Sequence, residues 1–213
     1  IGEVRALVRN VTKARSVLNC NKCDASEGIY VGDVTKVESM TAAMKGVDTL
    51  AIAAAVSGTE PEKVMRAVEF DGVENQVAAL TSANNGTLGT LRVVLCSSMG
   101  TTYPSPKPMM GGPILFWKLN AEAFLFSSGV GTTVVKPCGL SDKEGGQHKL
   151  VVGHDDHLPT MSFMVPRADV AAVMAEAIVQ RTSGLRFGMC TKAIGSKTTD
   201  YAALLKEAQW PWM

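Results

Sequence analysis

The sequence lacks the features that mark several classes of protein. Its 21 lysines and arginines against 20 acidic residues leave a net charge of +1, and no basic run appears. Neither a nucleic acid nor an anionic membrane is therefore indicated as a partner. No apolar run reaches the roughly 18 residues of a membrane-spanning helix. With 46% hydrophobic and 19% charged residues, the composition is typical of a globular protein and argues against disorder.

The cysteines are odd in number and mostly far apart in the sequence. There are five, scattered through apparent strands and loops, and this usage favours a reducing compartment. Cys20 and Cys23 form a CNKC pair, yet no second pair and no suitably spaced histidine completes a zinc site. No thioredoxin-like context surrounds the pair, so we expect neither a metal nor a redox function there.

What the sequence does contain is a strand–helix repeat. Short apolar runs predict strands at residues 4–8, 28–31, 49–55, 91–96 and 132–135. Thr35 and Glu38 are interpreted as a capping box that begins one helix. Thr59 and Glu62 are interpreted as a second box, which begins a long helix that ends near Gly86. Apolar strands joined by such helices predict a doubly wound α/β domain with right-handed crossovers.

The stretch 91–122 organises the chain. Its apolar strand is typical of a parallel strand buried on both faces, and it ends in Ser97, where an open α/β sheet presents its ligand crevice. The next helix carries an apolar stripe of Ile114, Trp117, Ala121 and Phe124. Lys118 interrupts that stripe. It either points into a cleft or extends along the edge of the buried face towards solvent.

After Pro137 the pattern changes. Residues 141–146 form a polar loop, and a helix entered through Pro166 carries an apolar stripe. Further strands are predicted at 149–152, 161–165 and 185–190, and a closing helix at 201–208. We therefore expect a single domain, 1–213, made of a core over 1–136 and a C-terminal region over 137–213.

A glycine-rich nucleotide loop is missing, because no GxGxxG or GxxGxxG follows a strand. The chain begins at Ile1, and Gly2 stands where a helix preceding the first strand would end. A strand–helix unit of roughly 25–30 residues would fit upstream. In a dinucleotide-binding fold that unit carries the central strand and the phosphate-binding helix N-terminus.

Several motifs occur in a characteristic order: GDVTKVESMTAAMKGVDTL, RVVLCSSMG, WKLNAEAFLFSSGVGTTVVKPCGL, SDKEGG and VPRADVAAV. In these motifs the chain resembles the NmrA-like atypical short-chain dehydrogenase/reductases, and especially small plant and algal NAD(P)-binding proteins. The likeness extends from the first strand to about Ile178. It implies a Rossmann-like, doubly wound parallel sheet with a small C-terminal substrate-side region and with bound NADP(H).

The resemblance also implies cofactor contacts. Arg9, with Asn10 beside it, matches the strand end where an arginine meets the 2′-phosphate of NADP, although an arginine there is also typical of a solvated strand end. The other implied contacts are Asp33 and Val34 beside the adenine, the small residues Ala53, Ala54 and Ala55, which are equally compatible with core packing, and Pro137, Cys138, Gly139 and Leu140 beside the nicotinamide.

Two residues are implied to be catalytic. Ser97 matches the serine that hydrogen-bonds a substrate carbonyl or the nicotinamide ribose, and Lys118 matches the lysine that contacts the ribose hydroxyls. Asn75 matches an interior asparagine and is equally consistent with a structural hydrogen bond. The family tyrosine four residues before the lysine is Ile114, so the usual proton donor is absent, and Tyr103 in the adjacent loop is a candidate substitute that we do not favour.

Other segments depart from the family pattern or add to it. Thr132 replaces a tyrosine of the pattern, and Lys136 replaces an arginine. Residues 154–157 (HDDH) could be drawn as a metal cluster, but the matching family segment is an acidic surface turn, and we expect no metal. Trp210 and Trp212 either anchor a protein partner or dock onto their own domain.

Two functions remain open. The first is an NADP(H)-dependent oxidoreductase acting on a small carbonyl or quinone substrate, supported by Arg9, Ser97 and Lys118. The alternative is a non-catalytic Rossmann-fold subunit, structural or regulatory, of a larger plastid or photosynthetic assembly, supported by Ile114, the missing glycine loop and the aromatic tail. The plant and algal likeness indicates a chloroplast location; otherwise the cytoplasm is expected.

Overall fold

A five-stranded sheet forms the centre of the structure, a computed structural model that describes residues 2–85, 88–102, 112–158 and 164–210. The strands are β1 (Ala6–Val8), β2 (Ile29–Val31), β3 (Thr49–Ile52), β4 (Arg92–Cys96), β5 (Gly131–Pro137), β6 (Gly139–Ser141), β7 (Lys149–Gly153), β8 (Met164–Pro166) and β9 (Leu185–Lys192). The helices are α1 (Val11–Leu18), α2 (Thr41–Met44), α3 (Glu62–Glu69), α4 (Asp71–Ala83), α5 (Gly112–Ser127), α6 (Arg167–Val179) and α7 (Tyr201–Glu207).

The central sheet has the strand order β3-β4-β5-β9-β7. Its first four strands run parallel, and β7 pairs antiparallel with β9 at one edge. Two short parallel pairs, β1 with β2 and β6 with β8, complete the strands. The carboxyl ends of β3, β4 and β5 therefore meet at one edge of the sheet, where ligands bind in open α/β folds.

Both faces of the central sheet are covered by apolar side chains. On β4, Val93 and Leu95 pack with residues of α4 and α5, whereas Val94 packs with residues of α6 and α7. Val134 and Val135 of β5 alternate in the same way. Because successive side chains of a strand point to opposite faces, two layers of helices bury the sheet. This confirms the predicted doubly wound α/β fold.

The two predicted capping boxes are wrong. The hydroxyl of Thr35 donates to Asp33 Oδ1 at 2.8 Å, and no side chain caps the turn that begins at Val37. Pro61 is the N-cap of α3, and again no side chain makes the capping hydrogen bond. The side chain of Thr59, which the box would need, is engaged with Ser57. In both cases a nearer polar partner takes the side chain that a box would need.

The long helix predicted from residue 59 to about 84 is two helices. Phe70, with φ −116° and ψ −69°, separates α3 from α4, and its ring stacks on Trp117 at a centroid distance of 6.1 Å. The predicted stop at Gly86 lies outside the described residues. Sequence reasoning missed helix α1. Its N-cap is Asn10, whose side chain accepts the N–H of Lys13.

The predicted apolar stripe of α5 is also displaced. Ile114, Trp117 and Phe124 are only half-buried. Of the predicted stripe only Ala121 is buried, and the other buried side chains of the helix are Leu115, Glu122 and Leu125. The ring of Trp117 stacks on Phe70, which lies between α3 and α4. The stripe of α6, by contrast, is confirmed.

The expectation of reduced cysteines is wrong for four of the five. Cys20 is bonded to Cys23, and Cys138 is bonded to Cys190, 52 residues further along the chain. Cys96 is free. The second pairing joins the residue that follows β5 to β9, and these lie side by side only in the folded sheet, so sequence spacing could not reveal it.

In the described part of the chain, no helix has both the length and the apolar character that crossing a membrane requires.

Replacing Leu125 tests the two-sided burial of the sheet. Its side chain is fully buried between α5 and the sheet, and Leu125→Ala should lower the free energy of unfolding by about 2–5 kcal/mol, because a cavity remains. Chemical denaturation measures this loss. The control is Val17→Ala, on an exposed position of α1, with an expected change within about 0.5 kcal/mol. Equal effects of the two variants would contradict the assigned core.

Candidate functional site

A cavity of about 400 Å³ lies at the carboxyl ends of β3, β4 and β5. It therefore occupies the edge where the fold presents ligands. Eight of its lining residues were singled out from the sequence, and they come from four separate stretches of the chain. The lining residues are Ala53, Ala55, Cys96, Ser97, Ser98, Met99, Lys118, Pro137, Cys138, Gly139, Leu140 and Arg167.

Lys118 reaches the cavity from α5 and is held there by an ion pair. Its Nζ lies 2.7 Å from Oε2 of Glu69, the last residue of α3. Glu69 is 3% exposed, and its second carboxylate oxygen accepts the backbone N–H of Val56 at 2.9 Å. The Lys118 side chain, 12% exposed, thus points into a cleft, which decides between the two positions that the sequence left open.

The thiol of Cys96 lies within the electrostatic reach of this pair. Burial raises the pKa of Cys96 above its ordinary value; the charge of Lys118 lowers it and the charge of Glu69 raises it. Because burial has the largest effect, the thiol lines the cavity in its protonated form at neutral pH.

Ser97 is bound from beneath by a buried glutamate. Its hydroxyl donates to Oε1 of Glu122, and Oε2 of Glu122 accepts Nε of Arg186 at 2.7 Å. Glu122 is 1% exposed, so the guanidinium supplies the charge compensation that a buried carboxylate needs. Since a carboxylate can only accept, the hydroxyl hydrogen of Ser97 is already engaged. Towards the cavity, Ser97 therefore presents an acceptor oxygen.

A further buried ion pair, between Lys136 and Asp156, lies beside the pair of Glu122 and Arg186. Lys136 of β5 is 1% exposed, and its Nζ lies 2.6 Å from Oδ1 of Asp156, in the turn after β7. Thr102 joins the pair, because its hydroxyl accepts from Lys136 and its backbone N–H donates to Asp156. Arg186 also reaches Thr102, at 3.4 Å. Two cations and two carboxylates thus form one balanced polar cluster under the cavity.

The pKa directions follow from this arrangement. Burial lowers the pKa of Lys136, and the hydrogen bond to Asp156 offsets part of that change. Burial alone would raise the pKa of Asp156, but the hydrogen bonds from Lys136 and from the Thr102 N–H hold it below its usual range. Asp156 is therefore a charged partner of Lys136, which is a different role from the metal ligand that the HDDH motif could suggest.

The far wall of the cavity is the segment 137–140. Its backbone is fixed to the sheet, since Cys138 N donates to Met189 O at 2.9 Å and its sulfur is bonded to Cys190. Arg167, at the start of α6, closes this side. Its guanidinium lies 2.7 Å from Asp142 and is half exposed.

The residues expected near the adenosine lie outside the cavity lining. Arg9 is exposed after β1, and its charge contributes to a lowered pKa of Asp33, which hydrogen bonds from Thr35 lower most. Asn10 caps α1. Val34 accepts the side-chain N–H of Asn75 at 3.0 Å, so Asn75 makes a structural hydrogen bond.

The three alanines after β3 are exposed, which excludes core packing as their role. Ala53 and Ala55 line the cavity, whereas Ala54 is not among the lining residues. Tyr103, the suggested substitute acid, lies outside the described residues.

Trp210 stacks on His154 with ring centroids 3.7 Å apart, and Trp212 lies outside the described residues. Within the described ranges, one group of side chains, Cys20, Cys23 and Glu27, is spaced to hold a metal ion. Its two sulfurs are bonded to each other, and Glu27 accepts three backbone N–H groups from residues 21–23.

Sequence reasoning missed four residues that support the cavity: Glu69, Glu122, Arg186 and Arg167. Glu122 carried a signal, since it is a charged residue one step from Ala121 on the buried side of an otherwise apolar helix. Arg167 also stood within a quoted motif, VPRADVAAV. Glu69 and Arg186 carried none, because their partners are 49 and 64 residues away in the sequence.

A protein-family model described as NAD(P)H-binding matches residues 2–181. Sanguinarine reductase from Eschscholzia californica is 29% identical over 250 aligned positions, which cover 99% of this chain and 88% of the relative. A chloroplastic protein from Arabidopsis thaliana is 31% identical and is covered over 63% of its length by 87% of this chain.

Solved structures share the fold. One described as an NAD-dependent epimerase/dehydratase from Bacillus halodurans superposes with a TM-score of 0.72 and 23% identity, over 94% of this chain and 86% of that one. An oxidoreductase from Lactococcus lactis gives a TM-score of 0.64 and 17% identity, over 86% and 80% of the two chains.

The Lys136–Asp156 pair makes stability depend on pH. The pKa of Asp156 is lower in the folded chain than in the unfolded chain. Near the ordinary pKa of an aspartate the unfolded chain therefore binds more protons than the folded one. The ion pair thus adds to the free energy of unfolding above about pH 4, and this contribution is lost as the pH falls further. Asp156→Asn should cost about 3–5 kcal/mol at neutral pH, because Lys136 stays buried without its partner. The stability gap to the wild type should shrink between about pH 5 and pH 3.

Urea denaturation at several pH values measures this gap. Asp155→Asn, at the exposed neighbouring position, is the matched control and should show no such gap. A gap for Asp156→Asn that stays constant with pH would contradict the assigned ion pair.

Proposed function

The chain belongs to the NAD(P)H-binding family of atypical short-chain dehydrogenase/reductases, and we propose that it uses NADP(H) to reduce a small carbonyl or quinone substrate. The observation that carries this proposal is Lys118, which Glu69 holds with its ammonium group in a cavity at the ligand-binding edge of the sheet. The reductase named among its relatives is consistent with the same class of reaction.

The residues of the cavity fit the nicotinamide half of such a dinucleotide. Ala53 and Ala55 are small and exposed, so a ligand can approach the backbone after β3 closely. The wall 137–140 offers a mostly apolar surface of Pro137, Cys138, Gly139 and Leu140. Lys118 supplies positive charge, and Ser97 supplies an acceptor oxygen. We propose that Arg9, near Asp33 and outside the cavity, contacts the 2′-phosphate.

A bound nicotinamide supplies the hydride for such a reduction. The chain's own groups must then stabilise negative charge on the substrate oxygen, and Ile114 cannot donate a proton. An ammonium group has three N–H donors, of which Lys118 directs one to Glu69. We propose that the other two serve a ribose hydroxyl and the substrate oxygen. Ser97, whose hydrogen is engaged by Glu122, accepts from a ligand hydroxyl or amide N–H.

We do not favour the alternative of a non-catalytic subunit. It relied partly on an aromatic tail free to bind a partner, and Trp210 is stacked on His154 of its own chain. A chloroplast location is part of the proposal and is supported by the chloroplastic relative. Turnover decides between the two functions: NADPH oxidation with small quinones and carbonyl compounds is expected, and NADPH binding without any turnover would favour the non-catalytic subunit.

Lys118 should determine the affinity for the dinucleotide. Lys118→Ala removes a charge-assisted hydrogen bond of about 1.5–3 kcal/mol, so the Kd for NADPH should rise by about 10- to 100-fold. Glu69→Gln should weaken binding less, because the lysine remains but loses its fixed position. NADPH fluorescence titration measures both, with thermal unfolding recorded for each variant. Lys206→Ala, on the exposed face of α7, is the control. An unchanged Kd for Lys118→Ala would overturn the assigned role.

Arg9 should select NADPH over NADH. Only NADPH carries the 2′-phosphate, so Arg9→Ala should raise the Kd for NADPH by about 10-fold or more while the Kd for NADH stays the same. Titration of each variant with both dinucleotides tests this. Arg15→Ala, an exposed position later in α1, is the matched control. Equal losses for both dinucleotides would argue against contact with the phosphate.

A further inference from the structure

The Cys138–Cys190 disulfide forms part of the cavity wall. Cys138 lines the cavity and is half-buried, whereas Cys190 lies on β9 and is fully buried. A reagent that enters the cavity thus meets the Cys138 end of the bond, whereas the Cys190 end is covered by the core. The disulfide differs in this respect from Cys20–Cys23, since neither of those cysteines is among the residues that line the cavity.

The bond also fixes the position of Cys138 in the wall. Directly after Cys138 comes β6, whose three residues pair with β8 and with no other strand among those described. Cys138 is joined to the central sheet by its backbone hydrogen bond to Met189 and by the disulfide, while the preceding Pro137 belongs to β5 and accepts the N–H of Met99. Opening the disulfide removes one of the two links at Cys138, so the local position of Cys138 depends on the redox state of the pair.

We propose that Cys138–Cys190 is a thiol–disulfide exchange site that a small dithiol reaches through the cavity, so that a ligand in the cavity blocks its reduction. The nature of that ligand rests on the proposed function, which makes it NADP(H). If the bound ligand also shifts the redox equilibrium of the pair, linkage requires that the reduced and oxidised proteins bind that ligand with different affinities.

The exchange follows from which sulfur is reachable. A thiolate of the dithiol attacks Cys138 Sγ, the Cys138–Cys190 bond breaks, and Cys190 leaves as a thiolate that takes up a proton. The second thiol of the reagent then attacks its own sulfur in the mixed disulfide and releases Cys138, which is also protonated. Two electrons and two protons reach the protein, and the dithiol becomes a disulfide.

The test measures the reduction of both disulfides in the same native protein. Dithiothreitol is added, samples are alkylated at intervals, and mass spectrometry reports the state of each cysteine. The Cys20–Cys23 bond is the internal control. NADP⁺ is the probe ligand, because it carries no hydride to donate, and calorimetry measures its Kd separately. At ten times that Kd, reduction of Cys138–Cys190 should slow about tenfold while Cys20–Cys23 is unaffected.

Two outcomes overturn the proposal. One is resistance of Cys138–Cys190 to dithiothreitol until the protein unfolds, and the other is binding of NADP⁺ without selective slowing. If calorimetry detects no NADP⁺ binding, the proposed function fails, and Ala55→Trp then decides the exchange site. This variant places a large side chain on a position that lines the cavity. Slower reduction of Cys138–Cys190 alone supports the proposal, and an unchanged rate overturns it.

Discussion

The site depends on a carboxylate, Glu122, that is buried between a serine and an arginine. A buried charge is tolerated only with a partner and hydrogen bonds, and Glu122 obtains both from Ser97 and Arg186. These three residues come from α5, the end of β4 and β9. The charge requirement therefore ties a helix to two strands directly beneath the cavity, and it fixes the direction in which the Ser97 hydroxyl points.

The same requirement explains why the fold was easier to predict than the supports of the site. Residues 91–96 and 132–135 are rich in apolar and β-branched residues, a local pattern that indicates buried strands, and they fall in β4 and β5. Ser97 and Lys118 were found because a strand end and an interrupted helical stripe are local patterns, and the cavity brings them together. Arg186 and Glu69 are exceptional only through contacts with residues distant in the sequence, and no local pattern contains that information.

The errors share one physical cause. Thr35 and Thr59 have the spacing of helix caps, but each side chain found a polar partner two residues away. The cysteines were read as scattered because only the sheet brings Cys138 beside Cys190. In each case the sequence indicated which groups can bond and left open which of several partners would come nearest. For the threonines a contact two residues away makes that choice, and for the cysteines the folded sheet makes it.

The arrangement of donors and acceptors limits the chemistry of the cavity. The hydrogen of Ser97 is directed to Glu122, and position 114 holds an isoleucine, which cannot donate. Among the described lining residues at this edge of the sheet, the charged donor is therefore the ammonium group of Lys118. Arg167, the other cation of the lining, is paired with Asp142 at the rim and is half exposed. In the reaction that we propose, a substrate oxygen that gains negative charge would therefore be stabilised on the Lys118 side. Because Glu69 keeps that ammonium in place before a ligand arrives, little reorganisation is needed when the charge develops.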